Sequence, residues 1–360
     1  MKQRIESVDL LRGFTIAAMI MVNTPGTWSH VYAPLLHADW HGLTPTDLIF
    51  PFFLFIVGIS IYFAYKNKPN AKATYKKIFI RTLKLLGLGF FLNWFLPYMP
   101  FFNDLSTVRI PGVLQRIGVV FCISAILYLN CNWKTLIGIG VTILLGYWAF
   151  MGFVPLPDGA APTFDRAASN WANFIDLNIL GEHMWKDDYD PEGILSSFPA
   201  IVTCLSGILI GKLLDGLTKI RLLFIAAAGF LVTGYAFSYL FPINKAIWSS
   251  SFVLVTSGWA TLILAIIYFF TDVKKVKMGS IFKYAGMNAI TIFFLSSFIS
   301  KTFGLTKIGE ESVHSWLYNN IYVQDFISDK MSSLLYALTV IAFYLALAYW
   351  MYKKKIFIKV

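Results

Sequence analysis

Residues 45–65 read PTDLIFPFFLFIVGISIYFAY, and no charged residue interrupts them after Asp47. An α-helix needs about 20 largely apolar residues to cross the hydrocarbon core of a membrane. Similar apolar runs recur along the whole chain, and only 14% of its residues are charged. A soluble domain carries roughly 25% charged residues. The pattern therefore predicts an all-α, polytopic integral membrane protein.

The positions of the apolar runs predict about ten transmembrane helices in a single domain, residues 1–360. Each run is long enough, or nearly so, to span a bilayer. The predicted spans are residues 8–24, 45–65, 79–99, 111–130, 134–153, 194–212, 221–240, 249–270, 281–300 and 332–352.

Basic residues indicate which helix ends face the cytoplasm, because cytoplasmic loops carry an excess of Lys and Arg. With both termini inside, the inner segments hold most of the 30 basic residues, so the net charge of +11 requires no nucleic-acid partner. All five histidines and most of the acidic residues then fall outside. We therefore expect the chemistry at the outer ends of the helices and in outer loops 25–44, 100–110, 154–193, 241–248 and 301–331.

The densest group of polar residues is HADWHGLTPTD, residues 37–47, where the first outer loop enters the second helix. A neutral histidine can take a proton from an attacking amine, and a carboxylate can fix its tautomer. We predict His37 as a catalytic residue, oriented by Asp39 or Asp47, with Asn23 facing the same compartment. The alternative is a zinc site on His37, Asp39 and His41, but zinc would need further ligands and no HExxH motif is present, so we predict no metal.

Two arginines, Arg109 and Arg116, lie two helical turns apart at the start of the fourth predicted helix. A helix N-terminus with two arginines is suited to bind an anion. We predict a group that binds an anionic cofactor, which also includes Gln115 and Lys245. The alternative, which stays open, is that these arginines pair with acidic residues of the long outer loop.

Further polar residues at the outer helix ends are candidates for substrate binding. Asp190 and Glu192 precede the sixth helix, where carboxylates also act as helix caps or complement the helix dipole. Asn244 precedes the eighth helix, and Asn288 lies inside the ninth, where its amide needs a buried partner. Trp40, beside His37, completes the predicted substrate group.

These stretches together resemble the heparan-α-glucosaminide N-acetyltransferase family. The resemblance covers nearly the whole chain in order. It comprises residues 7–13 (SVDLLRG), the block 37–55, residues 109–116 (RIPGVLQR), 190–195 (DPEGIL), 244–245 (NK), 286–288 (GMN) and 354–357 (KKIF).

The resemblance implies a transmembrane acyltransferase that takes acetyl from cytosolic acetyl-CoA and acetylates the amine of a glucosamine-type sugar across the membrane. The family's His-x-x-Trp-x-Gly motif places its catalytic histidine at His37, and the Asn that closes its first helix corresponds to Asn23. Whether an acetyl-histidine forms, or both substrates bind together, stays open. His41 departs from the family, because eukaryotic members tend to have Asn there.

The resemblance also implies a homodimer. No N-x-S/T sequon occurs in the outer loops, which suits a multi-pass protein of the bacterial cytoplasmic (inner) membrane, in contact with lipid. Two alternatives remain from the residues: a transporter of amino sugars or cell-wall fragments, and an O-acyltransferase of a surface polysaccharide. The transporter predicts charged residues deep within the spans, and few are present.

Overall fold

The computed structural model describes residues 5–68, 71–217 and 219–358; Lys2, Arg4 and Lys359, which contribute to the predicted orientation, lie outside the described residues. The described part is mainly helical. Its α-helices are α1 Glu6–Asn23, α2 Ile49–Tyr65, α3 Lys72–Trp94, α4 Val113–Asn130, α5 Trp133–Phe153, α6 Trp171–Leu180, α7 Ser197–Asp215, α8 Arg221–Phe237, α9 Ser250–Tyr268, α10 Ser280–Met287, α11 Ala289–Leu305, α12 Val313–Leu317 and α13 Asp329–Lys353.

Short elements complete the described structure. There are 3₁₀ turns at Ala33–Leu35 and Pro45–Leu48 and π-helical turns at Phe269–Val273 and Tyr318–Tyr322. Strands β1 (Lys307–Ile308) and β2 (Glu311–Ser312) pair antiparallel, with Lys307 opposite Ser312.

Each of the ten predicted spans coincides with a helix or, for the ninth, with a pair of helices. Within the described residues, six helical segments are long and apolar enough to cross a membrane: Pro45–Tyr65, Val113–Asn130, Trp133–Phe153, Ser197–Asp215, Ser250–Val273 and Asp329–Lys353. Helices α1 and α3 carry several charged residues, and α8 is short. The structure supports a helical membrane protein, while ten spans and their orientation stay predictions.

The prediction of one continuous ninth helix over residues 281–300 is wrong. Helices α10 and α11 meet at Asn288 with a bend of 84°, and together they are apolar enough to form a seventh span. The Asn288 amide donates to the carbonyl of Ile356 and accepts from the backbone N–H of Ile358. The C-terminal tail therefore stabilises the break between α10 and α11. A count of apolar residues along the chain does not detect this break, because the tail is distant in sequence.

Helices α2 and α7 form the centre of the bundle. In their spans, 67% and 72% of the most apolar window is buried inside the protein, against 28% for α5. Gly58 and Gly207 bring the two backbones together: a Cβ on Gly58 would lie 1.9 Å from the carbonyl oxygen of Cys204, and one on Gly207 would lie 1.9 Å from that of Phe55. Small residues let membrane helices approach this closely.

The central position of α2 determines where the site lies. Helix α2 also packs against α1, α4 and α9, so its sides are largely covered by other helices. Helix α1 in turn packs closely on α10, with Gly13 against the carbonyl of Phe282. The outer end of α2 is therefore a rigid platform, and it carries Asp47.

We predict that Gly58→Ala destabilises the protein, because the added methyl group must push α2 away from α7. Overpacking of this kind costs roughly 1–3 kcal/mol. Gly146→Ala is the matched control, since no atom lies within 4 Å of a Cβ built at that position. The measurement is the midpoint of thermal unfolding in detergent, and an equal change in both variants would contradict the close packing.

Candidate functional site

We call the end of the bundle at which α2 begins the outer end. His37 and Asp47 form the centre of the candidate site there. His37 Nδ1 lies 2.7 Å from Asp47 Oδ1. The buried carboxylate also accepts hydrogen bonds at Oδ2 from the backbone N–H groups of Ala38 and Thr44 and from the Thr44 hydroxyl. Because an ionised carboxylate only accepts, His37 carries its proton on Nδ1 and leaves a lone pair on Nε2.

The local sequence explains the position of this pair. Pro45 starts the 3₁₀ turn, and Thr44 with Asp47 forms a capping box. The turn leads directly into α2, which fixes the buried carboxylate at the end of the central helix. The His37 side chain remains 48% exposed, so its imidazole is accessible from the outer side.

Within the described residues, two other members of the predicted catalytic group have no hydrogen bond or ion pair with His37. Asp39 is exposed, so the geometry favours Asp47 as the orienting carboxylate. Asn23 is exposed at the end of α1, and no hydrogen bond joins it to His37 in the described part of the chain. Across residues 5–68, 71–217 and 219–358, no group of three or more His, Cys, Asp or Glu side chains is placed to hold a metal ion.

Lys245 reaches His37 from a loop more than 200 residues further along the chain. Its Nζ lies 3.0 Å from Nε2 of the imidazole and 3.1 Å from Nδ1. Burial lowers the pKa of the Lys245 ammonium, although the charges of Asp47 and Glu192 act in the opposite direction. The sequence placed Lys245 in the group that binds an anionic cofactor, whereas the structure places its amine against the imidazole.

A second histidine–carboxylate pair lies beside the first. His41 Nε2 is 2.9 Å from Asp165 Oδ1 in the long outer loop, and His41 Nδ1 is 3.3 Å from the Asn244 amide nitrogen. Asn244 is fully buried and also accepts from the backbone N–H of Ile247. Adjacent residues Asn244 and Lys245 therefore contact the two histidines, so the loop before α9 connects both pairs.

Trp40 attaches the long outer loop to the site. Its indole N–H donates to the carbonyl of Phe164 at 2.9 Å, and its ring meets Tyr189 edge to face. Trp40 itself is half-buried. The loop 154–193 is thus held over one side of the site.

Arg109 is occupied by acidic residues of the same loop. Its Nε and Nη2 donate to the two oxygens of Asp190 at 2.8 and 2.6 Å, and Nη2 also bonds Glu192 at 2.6 Å. The Asp190 side chain is fully buried, and the guanidinium lies over the ring of Trp185. The geometry therefore favours the pairing alternative for Arg109, and it gives Asp190 and Glu192 a partner inside the protein.

Arg116 and Gln115 also make contacts within the protein. Arg116 Nη2 donates to the carbonyl of Gly193 at 3.0 Å and to the Ser196 hydroxyl, and the guanidinium lies 5.1 Å over the ring of Trp248. Gln115 donates to the carbonyl of Ile110. Both side chains thus join the start of α4 to neighbouring segments, while Nε and Nη1 of the buried Arg116 have no hydrogen-bond partner in the described part of the chain. Asn288 lies at the α10–α11 break and bonds with the C-terminal tail, as described above.

Sequence reasoning missed two acidic residues of the long loop. Asp165 pairs with His41, and Asp176 in α6 accepts a hydrogen bond from the backbone N–H of Ile194 at 2.8 Å. Burial raises the pKa of Asp176 to about 6. The sequence signal that could have identified Asp176 is the short helix α6. Asn170 caps this helix, and Asp176 lies on the same buried face as Ala172. A carboxylate on a buried face indicates a polar partner.

A large cavity lies at the opposite end of the bundle, which we call the inner end. Its volume is about 1300 Å³, and it opens between the N-terminus of α1 and the C-termini of α2 and α7. Its floor includes Arg12 and Ser60, which are hydrogen-bonded to each other. The basic side chains that line it are Arg12, Lys66, Lys275, Lys277 and Lys283, and the acidic ones are Glu6, Asp9, Asp215 and Asp272. Arg12, Lys66 and Lys283 are paired with carboxylates of this set, whereas Lys275 and Lys277 have no ion pair among the described residues. No motif singled out this cavity in the sequence, because its wall comes from five separate segments.

We predict that Arg109→Gln strongly destabilises the protein, because it leaves buried Asp190 without its cation. Breaking a buried ion pair by removing one partner costs about 3–5 kcal/mol. The matched control is Arg166→Gln, which breaks a half-exposed pair with Asp188 and costs about 1 kcal/mol or less. Chemical unfolding in detergent measures both, and equal losses would show that Arg109 is not a structural anchor.

Comparison with known proteins tests the resemblance. A family model described as heparan-alpha-glucosaminide N-acetyltransferase, catalytic, matches residues 4–224. The chain is 29% identical over 422 aligned positions to the heparan-alpha-glucosaminide N-acetyltransferase of Homo sapiens, and 28% identical over 420 positions to that of Mus musculus. Both alignments cover 99% of this chain and 60% of the relative, so the chain spans about three fifths of their length.

The matched region contains His37, Asp47, Arg109 and Asp190, while Lys245 lies beyond it. The family model covers well over half of the chain, and the two relatives are similar over nearly all of it. The family predicted from the motifs is thereby confirmed: this protein belongs to the heparan-alpha-glucosaminide N-acetyltransferase family.

Proposed function

We propose that this protein is a transmembrane N-acetyltransferase that moves acetyl from acetyl-CoA to the amine of a glucosamine-type sugar at the outer, periplasmic face of a bacterial inner membrane. The observation that carries the proposal is the His37–Asp47 pair, in which a buried carboxylate orients an exposed imidazole. Acyl transfer to an amine needs such a base, because the amine must lose a proton as the amide forms.

Asp47 holds His37 in the tautomer that leaves Nε2 free. Nε2 then either accepts the proton of the attacking amine or attacks the thioester itself and carries the acetyl group. In both routes the carboxylate stabilises the imidazolium or acyl-imidazole that develops. Asn23 faces the same side, and we propose that its amide donates to the thioester oxygen once both substrates are bound.

We propose that acetyl-CoA enters through the inner cavity. Its phosphates carry negative charge, and Lys275 and Lys277 line the cavity wall without an ion pair among the described residues. Ser60 at the cavity floor lies 11 residues after Ile49, which corresponds to about 16 Å along α2. The pantetheine arm must cover that distance toward His37. This route suits the basic inner loops better than Arg109, whose donors already bond two carboxylates.

We propose that the sugar acceptor binds against Trp40 at the outer end. Trp40 is half-buried and lies three residues after His37, and sugar rings present C–H groups to aromatic faces. Asn244 bonds His41, the residue after Trp40. Asp190, Glu192 and Asn288 act on the structure of the site rather than on the sugar, since each bonds another part of the chain.

The first test is transfer of radiolabelled acetyl from acetyl-CoA to glucosamine by the purified protein in detergent. We expect label on the sugar amine from the wild type and a fall of about 10²- to 10⁴-fold in kcat for His37→Ala and Asp47→Asn.

Asp39→Asn is the matched control for Asp47→Asn, because its exposed carboxylate makes no contact with His37. Its activity should stay close to that of the wild type. Full activity in a folded His37→Ala protein would contradict the proposal. Label released by hydroxylamine would indicate an O-acyl product, and uptake of amino sugar into proteoliposomes without acetyl-CoA would indicate a transporter.

The proposed entry of acetyl-CoA through the inner cavity gives a separate prediction. Lys275→Gln combined with Lys277→Gln should raise the KM for acetyl-CoA about 5-fold or more, since a lost charged contact of roughly 1 kcal/mol changes binding by that factor. The matched control is Lys353→Gln with Lys354→Gln, which changes two lysines beyond the cavity wall. Steady-state kinetics at low salt measure both, and equal KM values would place the donor elsewhere.

A further inference from the structure

The amine of Lys245 occupies an unusual position for a lysine. Its Nζ lies against the His37 imidazole, 3.0 Å from Nε2, the nitrogen that does not bond Asp47, and 3.1 Å from Nδ1. Among the described residues, no carboxylate oxygen comes within ion-pair distance of this amine. A primary amine against an oriented imidazole is also the arrangement that an amine acceptor must reach for acetyl transfer.

The backbone holds Lys245 in this position. Its carbonyl accepts from the backbone N–H of Trp248, which closes a tight turn before α9. The neighbouring Asn244 accepts from the N–H of Ile247, whose own carbonyl accepts from the hydroxyl of Tyr147. The side chain therefore extends toward the imidazole from a fixed base.

The surroundings of Lys245 favour its nucleophilic form. Burial lowers the pKa of the ammonium, and the nearby cation Arg116 acts in the same direction. The carboxylates of Asp47 and Glu192 oppose this shift without reversing it. A larger share of Lys245 is thus the neutral amine than for a lysine in water, and only the neutral amine attacks a thioester.

We propose that Lys245 is a self-acetylation site, to which the enzyme transfers acetyl from acetyl-CoA when no acceptor amine is bound. This inference rests on the proposed acetyltransferase function. Nζ, after giving its proton to His37 or to water, attacks the acetyl carbonyl; a C–N bond forms and the C–S bond breaks. Coenzyme A leaves as the thiolate and takes up a proton, and Lys245 becomes an N-acetyl amide.

The modification has a consequence for the site. The amide is uncharged and cannot attack again, and the added acetyl group lies against Nε2 of His37. We therefore expect acetylation of Lys245 to block the entry of an acceptor amine. An amino sugar bound at the outer end excludes the lysine from the same position, so acceptor should suppress the modification.

The experiment incubates the purified protein in detergent with isotopically labelled acetyl-CoA, with and without glucosamine, and maps acetylated lysines by peptide mass spectrometry. We expect label on Lys245 in the wild type, reduced at least 5-fold by saturating glucosamine and at least 10-fold in His37→Ala and Asp47→Asn. Gel filtration checks that each variant is folded. If one variant fails to fold, the other still tests the inference.

Lys301 is the matched control lysine. It is half-buried at the same end of the bundle, but its Nζ donates to the carbonyls of Leu92 and Asn93 and does not face a histidine. We expect little label there in any sample. Preincubation with acetyl-CoA alone should also reduce later transfer to glucosamine, in step with the label on Lys245.

Transfer to glucosamine without any label on Lys245 would overturn this inference and leave the proposed function intact. Equal labelling of Lys245 and Lys301, or undiminished labelling of Lys245 in both His37→Ala and Asp47→Asn, would mean that acetyl-CoA reacts without catalysis and would also overturn it. Absence of all transfer, to sugar and to lysine alike, would count against the proposed function itself.

Discussion

The buried carboxylate of Asp47 is the interaction on which the outer site depends. It accepts hydrogen bonds from the backbone of Ala38 and Thr44 and from the Thr44 hydroxyl, and it pairs with His37. A carboxylate removed from water is stable only when such partners satisfy it. The loop that carries His37 is therefore tied to the outer end of α2, and α2 is held in turn by its close approach to α7.

The two ends of the bundle differ in how their charges are balanced. At the outer end Arg109 is paired with buried carboxylates, and His41 with Asp165, so this end is ordered by its own ion pairs. At the inner end three of the five basic side chains of the cavity are also paired with carboxylates, and Lys275 and Lys277 are the two without an ion pair among the described residues. The two lysines without an ion pair support the proposal that an anionic donor enters at the inner end, while the proposed acceptor amine meets His37 at the outer end.

Several features of the site follow from the sequence, and others do not. The spacing of His37, Trp40 and Gly42 indicated the catalytic histidine and the family, and the family is confirmed. From the sequence, either Asp39 or Asp47 could orient His37. Arg109 could either bind an anionic cofactor or pair with acidic residues of the long loop. The structure favours Asp47 and the ion pair with Asp190, because only packing places Asp47 under the imidazole and brings the long loop to α4. The break at Asn288 depends on the C-terminal tail and was missed for the same reason.

The sequence by itself determined the helical membrane class, the approximate places of the helices and the motif that carries His37. These are local properties: apolar runs of sufficient length, and residues close together in the chain. Only the tertiary structure decided that Lys245 meets His37 and that five segments enclose a basic inner cavity. Contacts between residues far apart in sequence depend on which helix faces pack together, and that packing is set by small residues such as Gly58 and Gly207 and by buried polar groups that need partners.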